Sequence, residues 1–343
     1  MKQTLLLILM TTGVLQVLGQ DAQFSQFYAN PLYLNPAMVG TSPNSRVGLN
    51  HRILWPNLPQ AFVSSTASFD YHSEPLQSSF GLMVHQDREG SASLSNTGFY
   101  FTYGYELPLS NKLVLRPAVQ FGYVTRGFDP TQLVFSDQID FGLDGAPSQD
   151  PNINALELRD YWDFNTGLLI YSEKYWVGFA AHHLTRPNLS LTRAEDPLSI
   201  RYSVHAGTRL PLGKKMWRST SFPSIAPNIL YKRQGEFEQL DIGASFHLEP
   251  MIFGLYYRGM PFVANRLDQI NQDAIIVQVG LEYRNFEFGY SFDMNLSEID
   301  VVTGGGAHEM SLQYRFAMAG RGNKPSRVSR RLPCPAFMRQ LPM

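Results

Sequence analysis

About fourteen stretches of this chain alternate apolar and polar side chains with a period of two, and that repetition narrows the choice of folds more than any other feature. In "TGFYFTYGYEL", Thr97, Phe99, Phe101, Tyr103, Tyr105 and Leu107 share one face, while Gly98, Tyr100, Thr102, Gly104 and Glu106 share the other. In "LVLRPAVQFGYVTR", Leu113, Leu115, Val119, Phe121 and Tyr123 oppose Arg116, Gln120, Gly122 and Arg126. "FEFGYSFDM" sets Phe286, Phe288, Tyr290, Phe292 and Met294 against Glu287, Gly289, Ser291 and Asp293. Each is a strand with one oily face. The candidate strands are 45–54, 61–72, 79–88, 94–107, 112–126, 161–172, 175–184, 199–211, 222–233, 237–248, 251–260, 273–284, 286–295 and 307–316.

Two architectures bury or cover so many half-oily strands. A β-sandwich packs one sheet on another and has no reason for loop lengths to alternate. A transmembrane antiparallel β-barrel gives its oily face to lipid, with short turns at one end and long loops at the other. Here short connections ("SEPLQS", "PLSNK", "SEKY", "LEP", "RN") alternate with long ones, of which 127–160 is the longest. The pattern therefore predicts an all-β outer-membrane barrel of about 14 strands over 45–316. An even strand number puts both termini on the periplasmic side. Tyr71, Tyr105, Tyr123, Tyr171, Trp176 and Tyr283 stand near strand ends, where rings suit the membrane interface.

The flanks agree with export. Residues 1–19 have Lys2 ahead of an apolar run, Leu5 to Met10, and end on Val17-Leu18-Gly19. That reads as a signal peptide, cut after Gly19 or Gln20. Residues 317–343 carry Arg321, Lys324, Arg327, Arg330, Arg331 and Arg339 and no acid. Removing these six and Lys2 from the formal charge of −1 leaves −8 for residues 20–316. The tail, basic and proline-rich, is expected to be extended and periplasmic.

Candidate chemistry is sparse. The predicted inner face holds Arg46, Arg52, Asp70, His85, Glu106, Arg116, Arg201, His205, Arg209, Asp241, Glu282, Arg284 and Asp293. Opposite charges in a narrow barrel pair and hold its shape. Gly48, Gly81, Gly98, Gly104, Gly122, Gly167, Gly207, Gly243, Gly280 and Gly289 lie on the same face, which suggests an occupied lumen. His182-His183 cannot both face one way in a strand. Asp137, Asp140 and Asp144 miss the calcium-loop spacing. "TGGGAH" at 303–308 precedes a strand rather than a phosphate-binding helix. Cys334, the sole cysteine, excludes an internal disulfide. No catalytic, cofactor, metal or nucleic-acid site is expected.

Residues 20–44 pose the remaining question. "QFSQFYANPLYLNPAMVG" is too proline-rich for a central strand, is not expected to be helical, and is too oily for a linker. It resembles the start of the PorP/SprF family of type IX secretion outer-membrane proteins, at Gln23, Phe24, Ser25, Gln26, Phe27, Asn30, Pro31, Leu32, Asn35, Pro36, Ala37 and Gly40. Met38 and Val39 depart from the pattern, and "RRLPCPAF" at 330–337 is similar to that family's tails. The resemblance implies a non-enzymatic barrel in outer-membrane lipid. Its partners would be periplasmic secretion-ring or motor components, or adhesin cargo with a C-terminal sorting domain. Strand 307–316, with Met310, Leu312, Tyr314 and Phe316 outward, would close the barrel.

The opening segment is then either a plug in the lumen or an anchor under the rim, with Phe24, Phe27, Asn30, Pro31, Asn35, Pro36 and Ala37 as its core. Arg327, Arg330, Arg331, Cys334 and Phe337 are the candidate docking residues of the tail. A fatty-acid-type transporter, whose plug has an Asn-Pro-Ala stretch, and a general porin remain as alternatives. A continuous apolar path or an open aqueous channel through the lumen would mark them.

Overall fold

The structure is a computed structural model that describes residues 21–58, 61–90, 94–127, 158–191, 195–213, 222–264, 270–296, 304–317 and 334–337. Its strands are β1 (Ser45–Leu54), β2 (Phe62–Ser73), β3 (Ser78–Glu89), β4 (Leu94–Tyr105), β5 (Leu107–Ser110), β6 (Leu113–Gly127), β7 (Arg159–Tyr171) and β8 (Tyr175–His182). They continue as β9 (Arg201–Thr208), β10 (Leu210–Pro211), β11 (Ser224–Gln234), β12 (Phe237–Leu248), β13 (Met251–Ala264), β14 (Ile270–Tyr283), β15 (Phe286–Asn295) and β16 (Ala307–Phe316). Fourteen of them form a closed antiparallel wall. The short β5 and β10 extend it beside β6 and β11. β1 pairs β16 from Ser45↔Phe316 to Leu54↔Ala307. All other wall pairings join strands close in sequence.

The period-two pattern decides the faces. Along β6, Arg116, Ala118, Gln120 and Val124 are buried within, while Phe121 and Tyr123 are exposed without. The outer face is apolar on every side, with Leu82, Phe101, Val177, Ile242, Leu255, Val279, Phe288 and Leu312 all exposed. Such a surface suits a hydrocarbon solvent. Three expected orientations are corrected. Tyr171 and Trp176 are buried inside rather than at the membrane interface, and the Trp176 indole Nε1–H donates to Tyr28 Oη at 2.6 Å. Arg284, expected inside, is exposed in the turn before β15, with its guanidinium over the Tyr283 ring. Its φ of 52° breaks the strand and its alternation.

One end of the wall holds Ser45 and Phe316, and we call it the terminus end; the other is the loop end. Loop lengths do not alternate strictly. At the loop end, β11 and β12 are joined by a two-residue turn, tight because Gly235 adopts φ 60°. At the terminus end, residues 209–223 make a long connection whose β10 continues the ladder with β11. The connection between β13 and β14 is shorter than expected, since the strands run to Ala264 and from Ile270.

Residues 21–44 lie inside the wall, where Phe24, Phe27, Leu32, Leu34, Met38 and Val39 are buried. The expectation of no helix is corrected on a small scale. Pro31–Leu34 is a single α-turn, and Phe27–Ala29 and Pro36–Met38 are 3-10 turns. Pro31 and Pro36 each open a turn, where a proline's fixed φ fits and its missing N–H costs nothing. Asp21 contacts Gln234, His183 and Arg201 at the loop end, while Gly40 reaches Asp70 at the terminus end. The first and last residues of the wall, Ser45 and Phe316, thus share one end, while Asp21 lies at the other.

The outward register gives a direct test. Phe288 lies mid-strand on the outer face, 46% exposed. Phe288→Arg should lower the stability of the barrel in lipid bilayers by ~2–4 kcal/mol, if the site is at the bilayer midplane. Urea unfolding in liposomes, followed by heat-modifiable migration, measures it, and wild-type stability would refute this register.

Candidate functional site

The lumen is the site, because many buried polar groups of the inner wall bond the opening segment there. Asn35 is its most connected residue. Its Oδ1 accepts from Ala37 N–H at 2.8 Å, which caps the turn at Pro36. Its Nδ2 donates to Leu168 O at 3.3 Å and Phe179 O at 3.2 Å, and lies 3.1 Å from His205 Nε2. One amide thus touches β7, β8 and β9. Asn30 is equally buried, but no partner is recorded for its side-chain amide. Phe24 packs edge-on against Tyr33, and Phe27 against Tyr256. Pro31, Pro36 and Ala37 are buried as well.

Ser25 sits at the centre of a buried charge cluster. Its Oγ–H donates to Asp293 at 2.6 Å, and the same Oγ accepts from Arg52 at 2.6 Å and Arg258 at 2.8 Å. Asp293 pairs with Arg52 at 2.8 Å and with Arg258 at 3.0 Å, and Arg258 pairs with Asp241 at 2.7 Å. Glu309 accepts the Ser25 backbone N–H at 2.5 Å. Taking such charges out of water costs several kcal/mol per ion unless every one is paired and hydrogen-bonded. Ser25 supplies the hydrogen bonds that complete the set. Elsewhere Arg46 pairs with Asp70 and Arg116 with Glu106, and Arg116 also donates to Val39 O. The expectation that inner charges pair structurally fits these contacts. Arg258 and Glu309, absent from the expected inner set, are inner-face residues of β13 and β16; the alternation of those strands places them.

The inner glycines divide into two groups. A Cβ on Gly81 would meet Val39 at 2.9 Å and Leu32 at 3.0 Å, and one on Gly104 would meet Val39 at 2.7 Å. Gly167 faces Asn35, Gly289 faces Gln26, and Gly48 comes within 4.0 Å of Ala29 O. Four lie under rings of the wall, Gly98 and Gly122 under Tyr100, Gly207 under Trp176 and Gly243 under Tyr256, while Gly280 lies against the Ile252 side chain and Phe288 O. Glycine here makes room either for the segment or for inward aromatic rings.

Open space remains at the two mouths. A cavity of about 80 Å³ at the loop end is lined by Asp21, Tyr33, His85, Tyr100 and Arg201, among others. One of about 120 Å³ at the terminus end is lined by Tyr28, Arg209, His247, Arg315 and Pro335, among others. The second mouth explains the tail. Cys334 is fully buried in the core cluster with Tyr28, Trp176 and Tyr256, and Pro335–Phe337 forms a 3-10 turn beside β8 and β9. In a tail expected to be mostly extended, residues 334–337 instead fold into the barrel mouth, with small and apolar side chains. Cys334 is accordingly not placed for docking. Arg327, Arg330 and Arg331 lie outside the described residues, as does the Phe337 side chain.

Met310, Leu312 and Tyr314 are exposed outward on β16, and Phe316 stacks beside Tyr314 and Phe69. His182 and His183 are both buried, because His183 leaves the strand with φ 60°. Its Nε2 lies 2.7 Å from Asp21 and its Nδ1 2.9 Å from Asp163. Among the described residues no group of three or more His, Cys, Asp or Glu could hold a metal. Asp137, Asp140 and Asp144 lie outside the described residues.

A closed antiparallel barrel of 14 strands with an apolar outer face is an outer-membrane β-barrel. The chain belongs, more narrowly, to the family described as type IX secretion system membrane protein PorP/SprF, which matches residues 17–314. Among solved structures it is similar to the CymD monoaromatic hydrocarbon channel, with 14% identity over 88% of this chain and 96% of that one, at a TM-score of 0.45. It is also similar to the Pseudomonas putida toluene transporter TodX, with 11% identity over 83% and 93% at 0.45. A third is the Acinetobacter baumannii outer membrane protein Omp33, with 8% over 81% and 100% at 0.42. No curated protein matches the chain.

Two outcomes test how the segment is held. Gly167→Ala would drive a methyl into Asn35 Oδ1 and within 2.9 Å of Ala37 N. In a Cys334→Ser background, a cysteine at Ala37 should resist a water-soluble maleimide and become reactive when Gly167→Ala is added. Equal protection in both would show that the Asn35 contact does not hold the segment. At the loop end, burial lowers the His183 pKa, but the Asp21 carboxylate and the Asp163 hydrogen bond outweigh it and raise it to about 9 from 6.5. A folded value above the unfolded one stabilises fully below about 6.5 and loses that stabilisation as pH rises through about 9. A nitroxide at Ala22 should therefore become more mobile between pH 8 and pH 10; a spectrum unchanged across that range would refute the tether.

Proposed function

We propose that the protein is a non-enzymatic component of the type IX secretion system in the outer membrane. In this reading it supports export or surface retention of adhesin-type cargo and docks to periplasmic secretion or gliding machinery. Residues 21–44 act as a plug, so the barrel works as an assembly platform and not as an open pore. The observation that carries the reading is the occupancy of the lumen from Asp21 at the loop end to Gly40 at the terminus end. Family membership supports the secretion assignment.

The transporter and porin readings lose support on the same ground. Small-molecule sites enclose ≈ 300–1,000 Å³. The cavities at the two mouths are about 80 and 120 Å³ and are lined by charged groups. Docking falls to the basic tail, whose residues 318–333 connect the terminus end of β16 to the buried Cys334. Its arginines would meet an acidic partner. Each exposed ion pair contributes only about 0–1 kcal/mol, so several must act together.

Two measurements test this. In planar bilayers the purified barrel should show no steady conductance, and a stable open channel would overturn the plug. In cells, the triple substitution Arg327→Gln, Arg330→Gln and Arg331→Gln leaves Cys334 in place. It should keep barrel abundance in the outer membrane normal while export of surface adhesins falls. Normal export in that strain would end the docking role of the tail.

A further inference from the structure

The loop-end cavity holds two acids, Asp87 and Glu89, for which no hydrogen bond or ion pair to residues 21–44 is seen among the described residues. Asp87 and Glu89 lie two residues apart on the inner face of β3 at the loop end, and both line the cavity. Ser64 Oγ donates to Asp87. Among the described residues neither carboxyl makes an ion pair. Arg126 lines the same cavity, but its Nη1 is held by Asn96 Oδ1 at 3.0 Å.

Two buried imidazoles add open acceptors. His85 is 9% exposed and bonds the Ser65 backbone, and no partner is recorded for its Nδ1. His182 is 3% exposed and bonds the Leu34 backbone, with no partner recorded for Nε2. In a neutral ring, one nitrogen that donates leaves the other as an acceptor. Both rings line the cavity, as do Tyr100 and Tyr161. Its volume of about 80 Å³ exceeds the ~10–15 Å³ that a single water needs.

We propose that this mouth is a binding site for a hydrogen-bond-donating organic cation, the guanidinium or ammonium of a basic side chain on a partner chain. The cation sits between the Asp87 and Glu89 carboxyl groups that line the cavity. Its remaining N–H groups meet the two imidazole acceptors. The Tyr100 and Tyr161 rings flank it, where an aromatic face attracts positive charge. A point charge such as a metal ion fits less well, because the acceptors are spread over β3 and β8 and form no ligand cluster. The site does not depend on the secretion role above.

Calorimetry on the full-length barrel in detergent micelles tests it with three probes: acetyl-Gly-Arg-Gly-amide, acetyl-Gly-Gln-Gly-amide and spermidine. The arginine peptide should bind one per barrel and the glutamine peptide should not. Glu89→Gln, at the half-exposed rim where folding is not at stake, and Asp87→Asn should each weaken binding about tenfold, the loss expected for one charge-assisted hydrogen bond. Glu238→Gln, another loop-end acid outside the cavity, should leave it unchanged. Absence of binding by both cations, or equal affinity in Glu89→Gln, would overturn the site. An equal loss in Glu238→Gln would reduce it to general surface charge and overturn it as well. Binding of spermidine without the arginine peptide would overturn the assignment to a basic side chain and leave a free polyamine as the ligand.

Discussion

Residues 21–44 fill much of the lumen of this barrel, and their hydrogen bonds to the inner wall stand where water would otherwise solvate it. Lipid covers the outer face, so its side chains need only be apolar. The inner face carries Arg46, Arg52, Arg116, Arg258, Asp70, Asp241, Asp293 and Glu309, all buried. Leaving one such group unpaired costs far more than one pairing gains. The segment answers with backbone as well as side chains. Gly40 N–H reaches Asp70, Ser25 N–H reaches Glu309, and Val39 O and Ala29 O accept from Arg116 and Gln313. A chain with few regular hydrogen bonds of its own is suited to this, because its amides are free to bond the wall. Pro31 and Pro36 limit how much of it can become helix.

Filling by the segment also explains why the inner wall is so uneven in side-chain size. Where the segment comes close, the wall carries glycine, as at Gly81 and Gly104 against the Val39 side chain and at Gly167 against Asn35 and Ala37 N. Where it stays away, the wall fills the space itself with Tyr100, Trp176 and Tyr256, each lying over a glycine of a neighbouring strand. A smooth inner face would serve neither need. Apolar burial adds to the polar fit: Leu32, Met38 and Val39 are fully enclosed, and each such side chain contributes roughly 1.5–3 kcal/mol relative to exposure.

The wall was legible in the sequence because lipid enforces period two on every strand. Expected and observed strands agree within a few residues over most of the chain. β1, β12, β15 and β16 coincide with the expected spans. The failures have local causes. Tyr171 and Trp176 stand near strand ends, where a ring reads the same whether it faces the interface or the lumen. Arg284 and His183 adopt positive φ, and a single such residue resets which way a side chain points. The inner glycines hinted that something fills the lumen, but not the path that it takes. Pairing across the lumen, as between Ser25 and Arg258, joins residues far apart in the chain and has no local signature. The return of Cys334 into the mouth was hidden for the same reason, behind a composition that reads as extended.

The segment has one further structural consequence, at the seam. Every wall pairing except β1–β16 joins strands near each other along the chain, across connections no longer than the one from Gly127 to Arg159, so its entropy cost is smaller. The β1–β16 ladder joins the two ends of the wall, and loop-closure cost grows with the logarithm of that separation. It is also the place where an unpaired edge would be exposed if the barrel opened. Ser25 bonds Arg52 on β1 and Glu309 on β16, while Gln26 bonds Glu309 O and Ser311 on β16. Ala29 O accepts from Gln313 farther down the same strand. The segment thus bridges the seam from inside, between the strand that it leads into and the strand that the chain ends on. Occupying the lumen and holding the wall shut are one set of contacts, so a change that frees the segment also removes the inner bridge across the least local ladder of the barrel.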